Sequence, residues 1–70
     1  MFVKTEKGTA IPCTWSEMPD RTRYKIDLLS TPGDIWSGHT RIADVYSKGI
    51  AYRIYKDLLN LYSPDALVIY

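Results

Sequence analysis

The stretch Ser47–Ser63, SKGIAYRIYKDLLNLYS, is the one segment with a sustained helical period, and strand-like runs flank it on both sides. At about 100° per residue, Ile50, Ala51, Ile54, Leu58, Leu61 and Tyr62 fall on one side of a helical wheel. Gly49, Arg53, Lys56, Asp57 and Asn60 fall on the other. The spacing predicts an amphipathic helix. Ser47 suits its N-cap, because a serine hydroxyl accepts from a first-turn amide that has no carbonyl partner. Ser63-Pro64-Asp65 ends it: proline has no amide to continue the ladder and restricts the residue before it. Gly49 weakens the first turn by about 1 kcal/mol relative to alanine.

Working outward, the flanking sequence predicts the sheet this helix covers. Met1–Thr5 and Thr9–Trp15 read as two strands joined by Glu6-Lys7-Gly8, with Gly8 free to adopt the left-handed conformation a short hairpin requires. Pro12 lacks an amide donor, so the second strand lies at an edge or ends there. Arg23–Leu29 alternates, with Tyr24, Ile26 and Leu28 opposed to Arg23, Lys25 and Asp27. Pro32-Gly33 suits the central positions of a type II turn. Ile35–Tyr46 then returns antiparallel, with a bulge or bend expected at Ser37-Gly38, after which Thr40–Tyr46 continues as a second strand piece. Asp44 shares the parity of Ile42 and Tyr46, so either the strand shifts register or Asp44 sits at its end. Ala66–Tyr70 is an apolar closing strand, and the helix before it also allows a parallel crossover. The expectation is one α+β domain over residues 1–70: a small antiparallel sheet, in β-β-β-β-α-β order, covered by one amphipathic helix.

Size and composition narrow the function classes. Seventy residues bury only about 60% of their unfolded surface, enough for one helix on one sheet without a deep cleft. With 46% hydrophobic and 24% charged residues the chain is expected to fold rather than remain disordered. A net charge of +1 provides no strong field toward nucleic acid or membrane. Six tyrosines and two tryptophans are the compositional oddity. Cys13 is the single cysteine. An undisulfided domain this small points to a reducing cytoplasm. The N-terminal MFVKTEKG does not read as a signal peptide, and Ala66–Tyr70 is too short to cross a bilayer.

The hairpin FVKTEKGTAI, the segment IADVYSKGIAYRIYKDLLNLY with its Tyr46-Ser47 helix start, and the closing ALVIY together resemble small uncharacterised proteins of Gram-positive bacteria and their phages. The resemblance covers the order of elements over most of the chain. It implies an α+β fold and a mobile-element setting, and no activity.

Residue types that carry chemistry are sparse. His39 with Asp34 and Asp44 makes a poor metal set, since structural and catalytic zinc sites need three or four protein ligands. Cys13 has no base or helix N-terminus beside it and reads as a small apolar side chain. Gly33 and Gly38 lack the lysine-serine pair and helix start of a phosphate loop. No nucleophile is paired with a base, so neither enzymatic activity nor a cofactor is expected.

Two surfaces remain. Tyr52, Tyr55 and Leu59 continue the helix's apolar arc beyond the width a sheet covers; this ridge is either a protein interface or is covered by a loop, the terminal strand or long sheet side chains. Burial of the ridge, with Trp36 or Trp15, in a partner would make the chain a small interaction module that forms a homodimer or docks on a host protein. The alternative is nucleic-acid binding. Arg21, Arg23 and Lys25 share one parity, and Arg41 joins them if the return strand pairs in register.

Overall fold

The final strand decides the topology. The computed structural model describes residues 1–70. Its strands are β1 (Phe2–Lys4), β2 (Ala10–Pro12), β3 (Tyr24–Leu29), β4 (His39–Val45) and β5 (Leu67–Ile69), with α1 (Lys48–Leu58) between the last two. Short 3₁₀ turns occupy Trp15–Glu17 and Pro64–Ala66. β5 inserts into the middle of the sheet, giving the order β2-β1-β5-β3-β4. It pairs parallel with β1 and antiparallel with β3. The sheet is therefore mixed rather than purely antiparallel. β4 and β5 both run opposite to β3, so α1 is a crossover between two parallel strands that passes over β3. Leu67, Val68 and Ile69 are all buried, which is why this strand is an unbroken apolar run: both faces are covered.

The core lies between α1 and one face of the sheet. Val3, Tyr24, Ile26, Leu67 and Ile69 come from the strands, Ala51 and Tyr55 from the helix, and Met18 from the chain after the first 3₁₀ turn. Ala51 is fully buried, and its small side chain lets the helix backbone sit close to the sheet.

Local sequence explains most of the turns. Asp34 N–H donates to Thr31 O at 3.1 Å, and Gly33 has φ 81°, as a type II turn on Pro32-Gly33 requires. Ser47 Oγ accepts from the Ile50 amide at 3.4 Å and caps α1. The helical ladder ends at Leu58 rather than Ser63; the Leu61 and Tyr62 amides both turn back to the Leu58 carbonyl.

The strand limits are narrower than the full ranges expected. β2 is the edge strand and ends at Pro12, as the missing amide donor allowed; beyond it the Thr14 amide and hydroxyl both donate to Glu17 Oε1, at 3.2 and 2.6 Å, and curl the chain. β4 starts at His39 rather than Ile35. Asp34 Oδ1 accepts from the Trp36 amide at 3.0 Å and Asp34 O accepts from the Ser37 amide and hydroxyl, so residues 35–38 turn. Ser37-Gly38 is a bend, and the register shift that the parity of Asp44 allowed lies at Ile42: Ile26 faces Ala43 while Asp27 faces Arg41. That extra residue brings Arg41 and Asp44 onto one face, away from the helix.

Candidate functional site

The expected Tyr52–Tyr55–Leu59 ridge is closed within the chain. The 3₁₀ turn carries Trp15 across the helix, where its ring stacks on Tyr55 with centroids 5.3 Å apart and 24° between planes. Tyr52 lies against the same indole at 5.1 Å and 55°. Tyr55 is left 9% exposed, Leu59 is half-buried, and only Tyr52 keeps an open edge. The buried line of α1 runs through Ala51 and Tyr55, a rotation of roughly 60° from the apolar arc centred between Ile50 and Tyr62. Trp15 is the reason: it adds apolar surface on that flank. The Thr14–Glu17 spacing, a hydroxyl three residues before a carboxylate, was the available signal for this turn.

The rotation exposes the other flank. Ile50 is 50% exposed, and Leu61, in the turn after the helix, is 75% exposed. Trp15 approaches from the β2 side of the sheet, so the Ile50 flank looks out over β4, the opposite edge. Ile42 within β4 and Tyr46 just after it are exposed as well. One side of the seven-residue β4 backbone has no neighbouring strand. An apolar helix flank and an open sheet edge therefore share one side of the molecule.

The face of the sheet opposite α1 carries the titratable groups. Asp27 is the only buried charged residue, 3% exposed. Arg41 Nε donates to one of its carboxylate oxygens, and His39 Nδ1 lies 3.5 Å from the other. The Tyr70 hydroxyl is 3.3 Å from His39 Nδ1, while His39 Nε2 donates to the Ile35 carbonyl at 2.9 Å. Burial alone would raise the Asp27 carboxyl, but hydrogen bonds from Arg41, Tyr70 and His39 outweigh it and hold it below its ordinary value. Burial, with Asp27 alongside, pushes the Tyr70 phenol up. Lys4 Nζ and the Arg41 guanidinium lie 4.9 and 5.3 Å from the Tyr70 ring centre. His39 thus faces Asp27 and Tyr70, and not Asp34 and Asp44. No three histidine, cysteine, aspartate or glutamate side chains lie together to hold a metal ion.

The four basic residues do not form an open basic face. Lys25 and Arg41 share the face away from the helix, but Arg41 is bound to Asp27, and Lys25 sits opposite Asp44. Arg23 grips Asp44 through two bonds of 2.7 and 2.5 Å and lies 5.5 Å from the Tyr46 ring. Arg21 precedes β3, and its Nη2 donates to the Lys4 carbonyl at 2.8 Å. Cys13 is half-buried and its thiol contacts Thr14 O at 3.0 Å; burial and then Glu17 raise its pKa, away from the reactive thiolate.

Trp36 is 90% exposed. It stands at a cradle of about 490 Å³ between the β1–β2 hairpin and the 35–37 loop, lined by Lys4, Thr9, Ile35, His39 and Tyr70 among others. No helix is long and apolar enough to cross a membrane. The chain matches no family model, and neither a curated protein nor a solved structure is significantly similar to it.

Proposed function

We propose that this protein is a non-enzymatic protein-interaction module that acts by self-association, and that the contact surface is the β4 edge with the helix flank above it. The carrying observation is the coincidence of those two features on one side of the fold. An open strand edge presents unpaired amides and carbonyls that another strand satisfies. A partner that adds a strand there meets Ile50 directly, with Leu61 and Tyr46 available at either end of the helix.

A second copy fits both features at once. Two β4 strands pairing antiparallel about a twofold axis continue the sheet and bring the two exposed helix flanks together on the same side. Trp36, on the loop before β4, lies outside this contact. The small size of the module suits the mobile-element setting that the resemblance to small proteins of Gram-positive bacteria and their phages implies.

Size-exclusion of Ile50→Asp and Leu61→Asp, alongside Tyr52→Asp as a control on the flank covered by Trp15, tests this reading. Each of the first two should weaken self-association at least tenfold, about 1.4 kcal/mol or more, without a large loss of thermal stability. The control should leave the mass unchanged. A reversed pattern, with only Tyr52→Asp dissociating the protein, would return the contact to the covered flank.

A further inference from the structure

The cradle beside Trp36 is not used by the self-association surface and lies toward the other side of the sheet. We infer that it binds a small planar aromatic anion, with Trp36 stacking on the ring and Lys4 pairing with the charge.

Trp36 is the first support. An indole 90% exposed contributes little to the fold, yet the backbone beneath it is held in place. Its own amide is bound by Asp34 Oδ1, the Ser30 amide donates to Gly38 O at 2.8 Å, and the Gly33 amide donates to Asp65 O at 2.8 Å. The ring is therefore presented on a fixed loop. An exposed aromatic face on a fixed backbone, without a partner in the chain, suits a stacking ligand, because little loop-ordering entropy is lost on binding.

Charge identifies the other half of the ligand. Lys4 lines the cradle and forms no ion pair; its ammonium rests only over the Tyr70 ring. No carboxylate lines the space, and Asp27 nearby is taken up by Arg41 and His39. The other lining residues include Thr9, Ile35, Ser37, Val68 and Tyr70, with His39 turned to Asp27 and Tyr70. The cradle thus offers one free cation, one free aromatic face, and a volume of about 490 Å³, within the range of small-ligand sites. A nucleic-acid strand needs a row of cations along its backbone, and Arg23 and Arg41 are already paired with carboxylates. A single ring with a single anionic group matches what is available.

The test is a titration of ¹⁵N-labelled protein, followed by amide and indole N–H shifts, with adenosine monophosphate and 1-naphthoate as probes. Adenosine and inorganic phosphate serve as the half-ligands. Both charged-ring probes should shift the Trp36 indole and the Gly8 and Thr9 amides saturably, and each half-ligand should bind at least tenfold more weakly. Trp36→Ala and Lys4→Gln should each weaken the probes at least tenfold while leaving signals from the α1 side of the core in place. Absence of saturable shifts at millimolar probe, equal binding of adenosine, or undiminished binding to Trp36→Ala would overturn the inference. None of these results depends on whether the protein self-associates.

Discussion

Trp15 stacks on Tyr55 at 5.3 Å between ring centres, and this contact decides which side of the helix is left for a partner. Without it, the Tyr52–Tyr55–Leu59 flank would be the uncovered one. Truncating Trp15 removes a large aromatic lid from a small core. Trp15→Ala should cost about 3 kcal/mol, at the low end for aromatic truncation because the residue is only half-buried. Urea unfolding checks this, as a lower midpoint with little change in slope.

The Asp27 carboxyl is held below its ordinary value in the folded state. A depressed folded pKa means that the unfolded chain takes up the proton first as pH falls. The stabilisation is complete above the unfolded value, near 4, and is lost as pH drops through the lower folded value. Thermal unfolding should therefore lose stability steeply below about pH 4. Asp27→Asn should remove that part of the pH dependence and cost about 1–3 kcal/mol at neutral pH, where Arg41 loses its charged acceptor. An unaltered acid profile in the variant would contradict the role given to this carboxylate.

Two glycines should respond to alanine in opposite directions. Gly33 has φ 81°, a conformation that strains any Cβ, so Gly33→Ala should destabilise by about 1 kcal/mol. Gly49 sits in the first turn of α1, where an added Cβ meets only Ser47 Oγ at 3.8 Å, an ordinary contact. Gly49→Ala should stabilise by about 0.5 kcal/mol. Paired denaturation curves on the two variants settle both signs.

What the sequence made legible was local. The alternation from Tyr24 to Leu28, the Pro32-Gly33 turn, the Ser47 cap and the apolar closing run each predicted the element that forms. Pairing between distant segments was not legible. Nothing near Leu67–Ile69 says that β5 lies between β1 and β3; its lack of alternation suited a strand covered on both faces as well as one at the sheet's edge, and the structure places it in the middle. A helical wheel shows how wide the apolar arc is and not what packs against it, so it could not say whether the flank Trp15 covers is open or closed. The basic residues were visible as a parity pattern. Their neutralisation by Asp27 and Asp44 depends on the bulge at Ile42, which moves Asp44 off the parity of the core.

The central claim is that two copies meet along β4 and the Ile50 flank. Sedimentation equilibrium of the unmodified protein over a hundredfold concentration range tests it most directly. The account predicts a mass that rises with concentration to twice the chain mass of 8.1 kDa and no further, since a twofold contact closes on itself. A mass that stays at one chain throughout, or that climbs past two without a plateau, would contradict it.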